Sequence, residues 1–146
     1  MTDWTYDLLK AKATLIVIAT PTKVTVLNEQ GNIPWLDESG QVQTFSNVMR
    51  KEVETTFSVL TVLKGEQTTN TFVLHSFEYA PRPGGGPVYT DSDPHLVAFD
   101  LKEKKSYLLF LRRQNDGRYI PVSGHYDASF AIKEVGESFW LFRSNR

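Results

Sequence analysis

A short acidic stretch ending in a histidine is the local pattern in this sequence whose residue types could bind a metal ion. Asp91, Asp93 and His95 alternate along the chain. Carboxylate oxygens and an imidazole nitrogen are ligands for divalent cations, so a metal-dependent enzyme centred on these three residues is one hypothesis. The stretch lacks the glycine and terminal glutamate of an EF-hand loop, and an aspartate before Pro94 is typical of a turn. We therefore expect a turn, with no metal site and no cofactor.

The other residues that could support catalysis do not form a recognisable motif. His75, His95 and His125 are 20 and 30 residues apart, which matches no local metal motif, and we expect three separate histidines. Ser123 precedes His125 by two residues but does not stand in a G-x-S-x-G sequence. The glycines 84–86 lie between prolines rather than between a strand and a phosphate-binding helix. The sequence thus predicts no catalytic residue, and we expect no enzyme.

The segment from Ala80 to His95 is the strongest candidate for a binding loop. Its first eight residues contain three prolines and three glycines, which exclude regular structure. Long loops on a rigid framework often carry binding residues, so we expect this segment to be the most mobile and most exposed part of the chain. The predicted binding residues are Tyr79, Arg82, Tyr89, Asp91, Asp93 and His95.

Length and charge exclude several classes of protein. The 146 residues fit one domain, residues 1–146, and 16 basic against 17 acidic side chains give a net charge of -1. A nucleic-acid-binding protein needs a basic face, so this balance argues against such a partner. The absence of cysteine excludes disulfide scaffolds, cysteine-zinc sites and thiol chemistry. The early apolar run 15–19 is too short to span a bilayer, and the first residues do not form a signal peptide.

The alternation of apolar residues predicts an all-β domain with one or two short helices. We expect a helix over 3–12 with Asp3 as its N-cap. Residues 13–27 suit one long strand that is bent at Pro21, or an edge position of the sheet. A loop-rich stretch is predicted over 28–47. Further strands are predicted over 53–63, 71–77, 107–111 and 118–122, with a short edge over 130–135 and a hairpin turn at 115–117. The run Tyr107–Leu111 is apolar throughout, which indicates a strand covered on both faces. The predicted core includes Val59, Leu63, Leu109 and Leu111.

Three segments carry a family resemblance. The sequence AKATLIV at 11–17 leads into the first strand, FSVLTVLKG at 57–65 ends in Lys-Gly, and KKSYLLF at 104–110 is followed by Asp116-Gly117. In this order they resemble the netrin-like module of the tissue inhibitors of metalloproteinases, over about 100 of the 146 residues. The resemblance implies an OB-fold-like five-stranded Greek-key barrel with loops at one rim. It also implies an exported protein, periplasmic or extracellular, if a leader was removed; otherwise the cytoplasm is expected.

Three functions remain open from the sequence. The first is a non-enzymatic binding domain that contacts a protein partner through the loops at the barrel rim. The second is a binder of single-stranded nucleic acid or oligosaccharide on the barrel face, for which aromatic residues predicted in or near loops would supply stacking surfaces: Trp35, Phe45, Tyr79, Tyr89, Tyr119 and Tyr126. The third is the metal-dependent enzyme at Asp91, Asp93 and His95. The sequence identifies neither the partner nor the oligomeric state.

The chain should not inhibit metalloproteases by chelating their zinc, despite the resemblance. In the inhibitors an N-terminal cysteine presents its amine and carbonyl to the zinc, whereas this chain begins Met1-Thr2-Asp3 and has no cysteine. Hydrolysis of a fluorogenic peptide by a zinc protease, measured with increasing amounts of the chain, should stay unchanged. Inhibition that disappears when residues 1–3 are deleted would contradict this expectation.

Overall fold

The computed structural model describes residues 3–31, 35–39, 41–43, 50–66, 69–79 and 95–135. One α-helix, α1 (Tyr6–Lys12), precedes the strands. In chain order these are β1 (Leu15–Gly31), β2 (Trp35–Leu36), β3 (Val42–Gln43), β4 (Arg50–Lys64), β5 (Thr71–Tyr79), β6 (Tyr107–Arg113), β7 (Tyr119–Pro121) and β8 (Ile132–Glu134). Two single-turn 3-10 helices, Leu101–Glu103 and Ala128–Ala131, flank β6 and β7.

Five of these strands close into a barrel. The pairing order is β1-β4-β5-β7-β6, and β6 pairs back onto β1 from Leu15↔Leu111 to Ala19↔Tyr107. The β5–β7 pair, Leu74↔Tyr119, is parallel and the other pairs are antiparallel. This is the predicted OB-fold-like Greek-key barrel. β8 extends the sheet beside β6, and β2 with β3 forms a separate hairpin between the first two barrel strands.

The first barrel strand is long and bent, as predicted. Its pairing with β4 shifts register between Pro21 and Lys23, where a residue without an N–H interrupts the ladder. The loop predicted from Asn28 is wrong at its start, because β1 continues to Gly31. Asn28 pairs with Glu52 and Gly31 with Arg50, so partners on β4 stabilise residues whose types favour a turn.

The barrel interior contains the main hydrophobic core. Its members are Leu15, Val17, Ala19, Phe57, Phe72, Leu74, Phe99, Tyr107, Leu109, Leu111, Ala128 and Ile132. The predicted core positions Leu109 and Leu111 are fully buried, and Val59 is partly buried against the same cluster. Leu63 was predicted wrongly, since it is 57% exposed. The β4–β5 ladder ends at Ser58↔Thr71, so β5 does not accompany β4 as far as Leu63.

The short helix covers the outside of the barrel. Its N-cap is Thr5, whose hydroxyl accepts a hydrogen bond from the N–H of Leu8, and not the predicted Asp3. Leu9 packs with Ile16 and Phe110 in a second cluster that also includes Ala13, Val122 and Ala131. Alternate residues of β6 thus enter different clusters, which confirms a strand covered on both faces. Within the described part of the chain, no helix is long and apolar enough to cross a membrane.

Leu109→Ala should destabilise the domain by about 2–5 kcal/mol, because it removes buried methyl groups from the barrel interior and leaves a cavity. Leu63→Ala is the matched control and should change the free energy of unfolding by less than about 0.5 kcal/mol, since this leucine is exposed. Urea denaturation of the two variants measures both values. Equal destabilisation by the two changes would contradict the assigned interior face of the barrel.

Candidate functional site

A groove open to solvent lies between the β2–β3 hairpin and the β6–β7 hairpin. Its volume is about 480 Å³, and its lining residues are Leu36, Ser39, Arg112, Arg113, Gln114, Asn115, Asp116 and Ile120. In OB-folds the loops joining strands one to two and four to five flank the face that binds ligands. In this barrel β1, β4, β5, β6 and β7 are strands one to five. The two hairpins are therefore those two loops, and the groove lies at the edge of the face that corresponds to the ligand-binding face of other OB-folds.

The β6–β7 hairpin turns at the predicted position. Gly117 has a φ of +91°, which glycine adopts without strain. Gln114 donates its N–H to the carbonyl of Arg118 at 2.7 Å, and Gly117 donates to the carbonyl of Gln114 at 3.1 Å. These bonds close the turn and fix the position of the β6–β7 hairpin, which forms the other wall of the groove.

Ion pairs hold this hairpin against the barrel. The Arg118 guanidinium donates to the Asp116 carboxylate from Nε at 2.9 Å and from Nη2 at 2.7 Å. Its Nη1 reaches Oε2 of Glu54 on β4 at 2.9 Å. The side-chain hydrogen bond from Arg118 lowers the pKa of the Asp116 carboxyl. Asp116 is therefore an ionised, paired carboxylate at the groove.

The β2–β3 hairpin is shaped by the side chain of Asp37. Its Oδ1 accepts hydrogen bonds from Ser39 N at 2.9 Å, Ser39 Oγ at 2.7 Å and Gln41 N at 3.0 Å. An aspartate bonded to the backbone two residues ahead is a turn-forming arrangement. Leu36 and Val42 pair directly across the hairpin, so their side chains share one face.

His125 holds the β2–β3 hairpin to the barrel. Its backbone N–H donates to the carbonyl of Leu36 at 2.9 Å, and the N–H of Leu36 donates to His125 Nδ1 at 3.0 Å. His125 Nε2 donates to the carbonyl of His75 at 3.1 Å. With one ring nitrogen accepting and the other donating, the imidazole is neutral. Burial lowers the pKa of His125 to about 3, with a smaller contribution from the charge of His75.

Two further contacts bring the hairpin close to the barrel. Gly124 has a φ of +86°, and a Cβ there would lie 2.8 Å from both Asp37 C and Glu38 N. Only glycine fits this position without moving the backbone. Arg112 on β6 donates from its guanidinium to the carbonyls of Glu38 and Asp37. The β2–β3 hairpin, which forms one wall of the groove, is thus hydrogen-bonded to β6, which contributes Arg112 to the groove lining.

A second histidine links the groove to the β4–β5 face. His75 Nε2 lies 2.6 Å from Glu52 Oε2, and its Nδ1 lies 2.9 Å from Oε1 of the groove residue Gln114. The rings of His75 and His125 meet edge to face with centroids 4.7 Å apart. The expectation of three separate histidines is therefore wrong for this pair. His75 lies on β5 and His125 in the turn after β7, so the fold brings together residues 50 positions apart, a proximity that no local spacing signals.

The predicted binding residues are only partly within the described chain. Tyr79 is half-buried at the end of β5, opposite Arg50. His95 donates its N–H to the carbonyl of Tyr126 and accepts from the N–H of Ser129. Its ring also packs edge to face on Phe130. Arg82, Tyr89, Asp91 and Asp93 lie outside the described residues. Within the described ranges no group of three or more metal-ligating side chains lies together.

The charges of the groove were not recognised from the sequence. Arg112 and Arg113 belong to a basic stretch that nearby acidic residues dilute in the sequence. In the structure, Arg112 bonds to backbone carbonyls, and Arg113 is exposed and forms no ion pair with any described residue. The described lining of the groove contains two arginines and one carboxylate, Asp116, which is paired with Arg118, so the described lining carries a net positive charge.

Comparison with known proteins assigns no family to this chain. The sequence matches no protein-family model. It matches no curated protein, and the structure matches no solved structure. A functional proposal therefore depends on the groove, its walls and its charges.

The stability of the chain should fall in acid because of His125. The buried imidazole stays neutral down to about pH 3, whereas an imidazole in the unfolded chain binds a proton near pH 6.5. Between these values the unfolded state binds one more proton. From this residue alone, the free energy of unfolding should therefore fall by up to about 1.4 kcal/mol per pH unit as the pH decreases. Above about pH 6.5 the contribution of His125 to the free energy of unfolding no longer depends on pH.

Urea denaturation of the wild-type chain and of His125→Asn over pH 7 to pH 4 measures this contribution. Asparagine can accept the Leu36 N–H but does not titrate, so the variant should show the shallower fall. If the variant does not fold, the NMR resonances of the His125 ring in the wild-type chain provide the same test, since they should not shift between pH 8 and pH 5. Parallel stability curves, or a ring that titrates near pH 6.5, would contradict the neutral assignment.

Proposed function

We propose that the chain is a non-enzymatic binding domain that contacts a protein partner through the groove between its β2–β3 and β6–β7 hairpins. The observation that carries the proposal is the position of this groove at the edge of the OB-fold ligand face, between two hairpins bonded to the barrel. Walls that are already held in place lose little conformational freedom when a ligand binds, which favours affinity.

Binding is favoured over catalysis because the candidate reactive groups are already engaged. Ser123 donates its hydroxyl to the carbonyl of Asp127 at 2.7 Å. Both ring nitrogens of His75 and of His125 have hydrogen-bond partners. Ser39, the hydroxyl in the groove lining, donates to Asp37. A nucleophile needs a neighbouring base that can take its proton, and the described groove residues do not offer such a pair.

The lining of the groove suits a protein segment. Val42 is 61% exposed and shares a hairpin face with the groove residue Leu36, so an apolar strip adjoins arginine and amide side chains. Protein interfaces combine these residue types. A single-stranded nucleic acid or a sugar would need aromatic faces, and the described lining contains none. Tyr119, one of the aromatics expected in or near loops, lies on β7 and packs on Phe72 against the main core.

The sequence resemblance supports the same proposal. The netrin-like module of the tissue inhibitors of metalloproteinases binds protein partners with loops of an OB-fold barrel. Without the N-terminal cysteine, this chain would use a different part of the same kind of barrel. The hairpins that line the groove are available for that role because neither depends on the chain's first residues.

Selection from a phage-displayed library of random dodecapeptides on the intact chain tests the proposal. We expect enriched peptides with micromolar affinity, which corresponds to a binding free energy of about −8 kcal/mol. Ser39→Trp, which places a large ring in the groove, should weaken their binding at least tenfold. Glu66→Trp is the matched control, because it adds the same ring to an exposed position just beyond the far end of β4 and should change nothing.

Three results would overturn the proposal. One is a selection that yields no peptide above background. The second is a set of peptides that binds Ser39→Trp and the wild-type chain equally well. The third is groove-dependent binding of a twelve-residue oligothymidylate or of an oligosaccharide without any peptide binding, which would favour the alternative function. Thermal denaturation of both variants checks that they are folded.

A further inference from the structure

Two arginines of the groove carry positive charges that no described carboxylate neutralises. Arg112 donates hydrogen bonds from its guanidinium to the backbone carbonyls of Glu38 and Asp37 and forms no ion pair with the described residues. Arg113, the next residue, is exposed and forms no ion pair with the described residues. Both residues line the groove.

Three carboxylates near the groove pair with residues other than Arg112 and Arg113. Asp116 is bonded to Arg118, and Glu54 is bonded to the same guanidinium. Glu52 lies 2.6 Å from His75. None of these three carboxylates forms an ion pair with Arg112 or Arg113, so both guanidinium groups keep their charge at the groove.

We propose that the segment bound in the groove is an acidic peptide stretch, with one or two carboxylates that pair with Arg113 and Arg112. This inference rests on the proposed function and names the chemistry of the partner. The planar guanidinium of an exposed arginine can bind a carboxylate through two parallel hydrogen bonds. Arg113 is free to do so, and Arg112 adds a second positive charge held in place by the hairpin carbonyls.

The neighbouring side chains fit the rest of such a peptide. Gln114 accepts from His75 through its Oε1, which leaves its amide NH₂ to donate toward a peptide carbonyl or carboxylate. Leu36 and Ile120 in the lining, with the exposed Val42 beside Leu36 on the hairpin, offer apolar surface for a hydrophobic residue next to the acidic one. A cavity of about 480 Å³ takes a short segment of chain rather than a whole protein surface.

A long polyanion fits this site less well than a short acidic peptide. Nucleic-acid binding depends on several phosphate contacts along a continuous basic surface. Here the basic side chains of the described groove lining are two adjacent arginines, which do not form a continuous basic surface for a phosphate chain. The charge pattern therefore favours one or two carboxylates at a defined place.

Two dodecapeptide libraries, displayed on phage and selected on the intact chain, test the inference. One library contains aspartate and glutamate, and in the other these residues are replaced by asparagine and glutamine. We expect enrichment from the acidic library alone. The enriched peptides should bind Arg113→Gln about tenfold more weakly than the wild-type chain, and their affinity should fall several-fold between 50 and 500 mM NaCl.

Lys23→Gln is the matched control, because it removes an exposed cation from β1, which contributes nothing to the described groove lining. It should leave peptide affinity unchanged. Equal enrichment from both libraries, with binding still sensitive to Ser39→Trp, would overturn the acidic partner while the proposed binding function stands. If neither library yields an enriched peptide, the proposed function is overturned as well. Binding of a twelve-residue oligothymidylate that is stronger than peptide binding and is lost in Arg113→Gln would overturn the inference in favour of a polyanion site.

Discussion

The double pairing of β1 is the constraint on which the rest of this structure depends. One edge of β1 pairs with β4 along most of its length, while the other edge pairs with β6 over five residues. The second pairing closes the sheet into a barrel, which removes exposed strand edges there and encloses the main hydrophobic core. Closure also brings the two hairpins close together, so that the loop after β1 and the loop after β6 both border the groove.

Within this frame, a neutral histidine determines where one wall of the groove lies. His125 can accept from Leu36 and donate to His75 only while it carries a single ring proton. Burial maintains that state by disfavouring the charged form. Close contact at Gly124 and the carbonyl contacts of Arg112 hold the same hairpin from two other directions. The groove is therefore shaped by hydrogen bonds to the backbone rather than by the packing of large side chains.

The barrel was predictable from the sequence because its strands are long, apolar and separated by clear turn residues. Gly117 and Pro21 each act through the backbone, so the hairpin turn and the bend are visible in the residue types. Leu63 was mispredicted because alternation along a strand does not reveal where its neighbour ends. The contact between His75 and His125 joins a residue of β5 to the turn after β7, and the β2–β3 hairpin contains only two residues in each strand. Such features arise from tertiary structure and leave no local pattern.

The charge of the groove could not be predicted from the sequence for the same reason. A net charge of -1 and an interspersed basic stretch indicate no binding surface when residues are counted along the chain. Folding sorts these charges: Arg118 and Lys105 pair with carboxylates, and Arg112 is directed to backbone carbonyls. Arg113 remains exposed at the groove. At 0.1 M salt, exposed charges more than a Debye length of about 10 Å apart are largely screened from each other. A ligand in the groove therefore interacts with this local excess of positive charge rather than with the net charge of the whole chain.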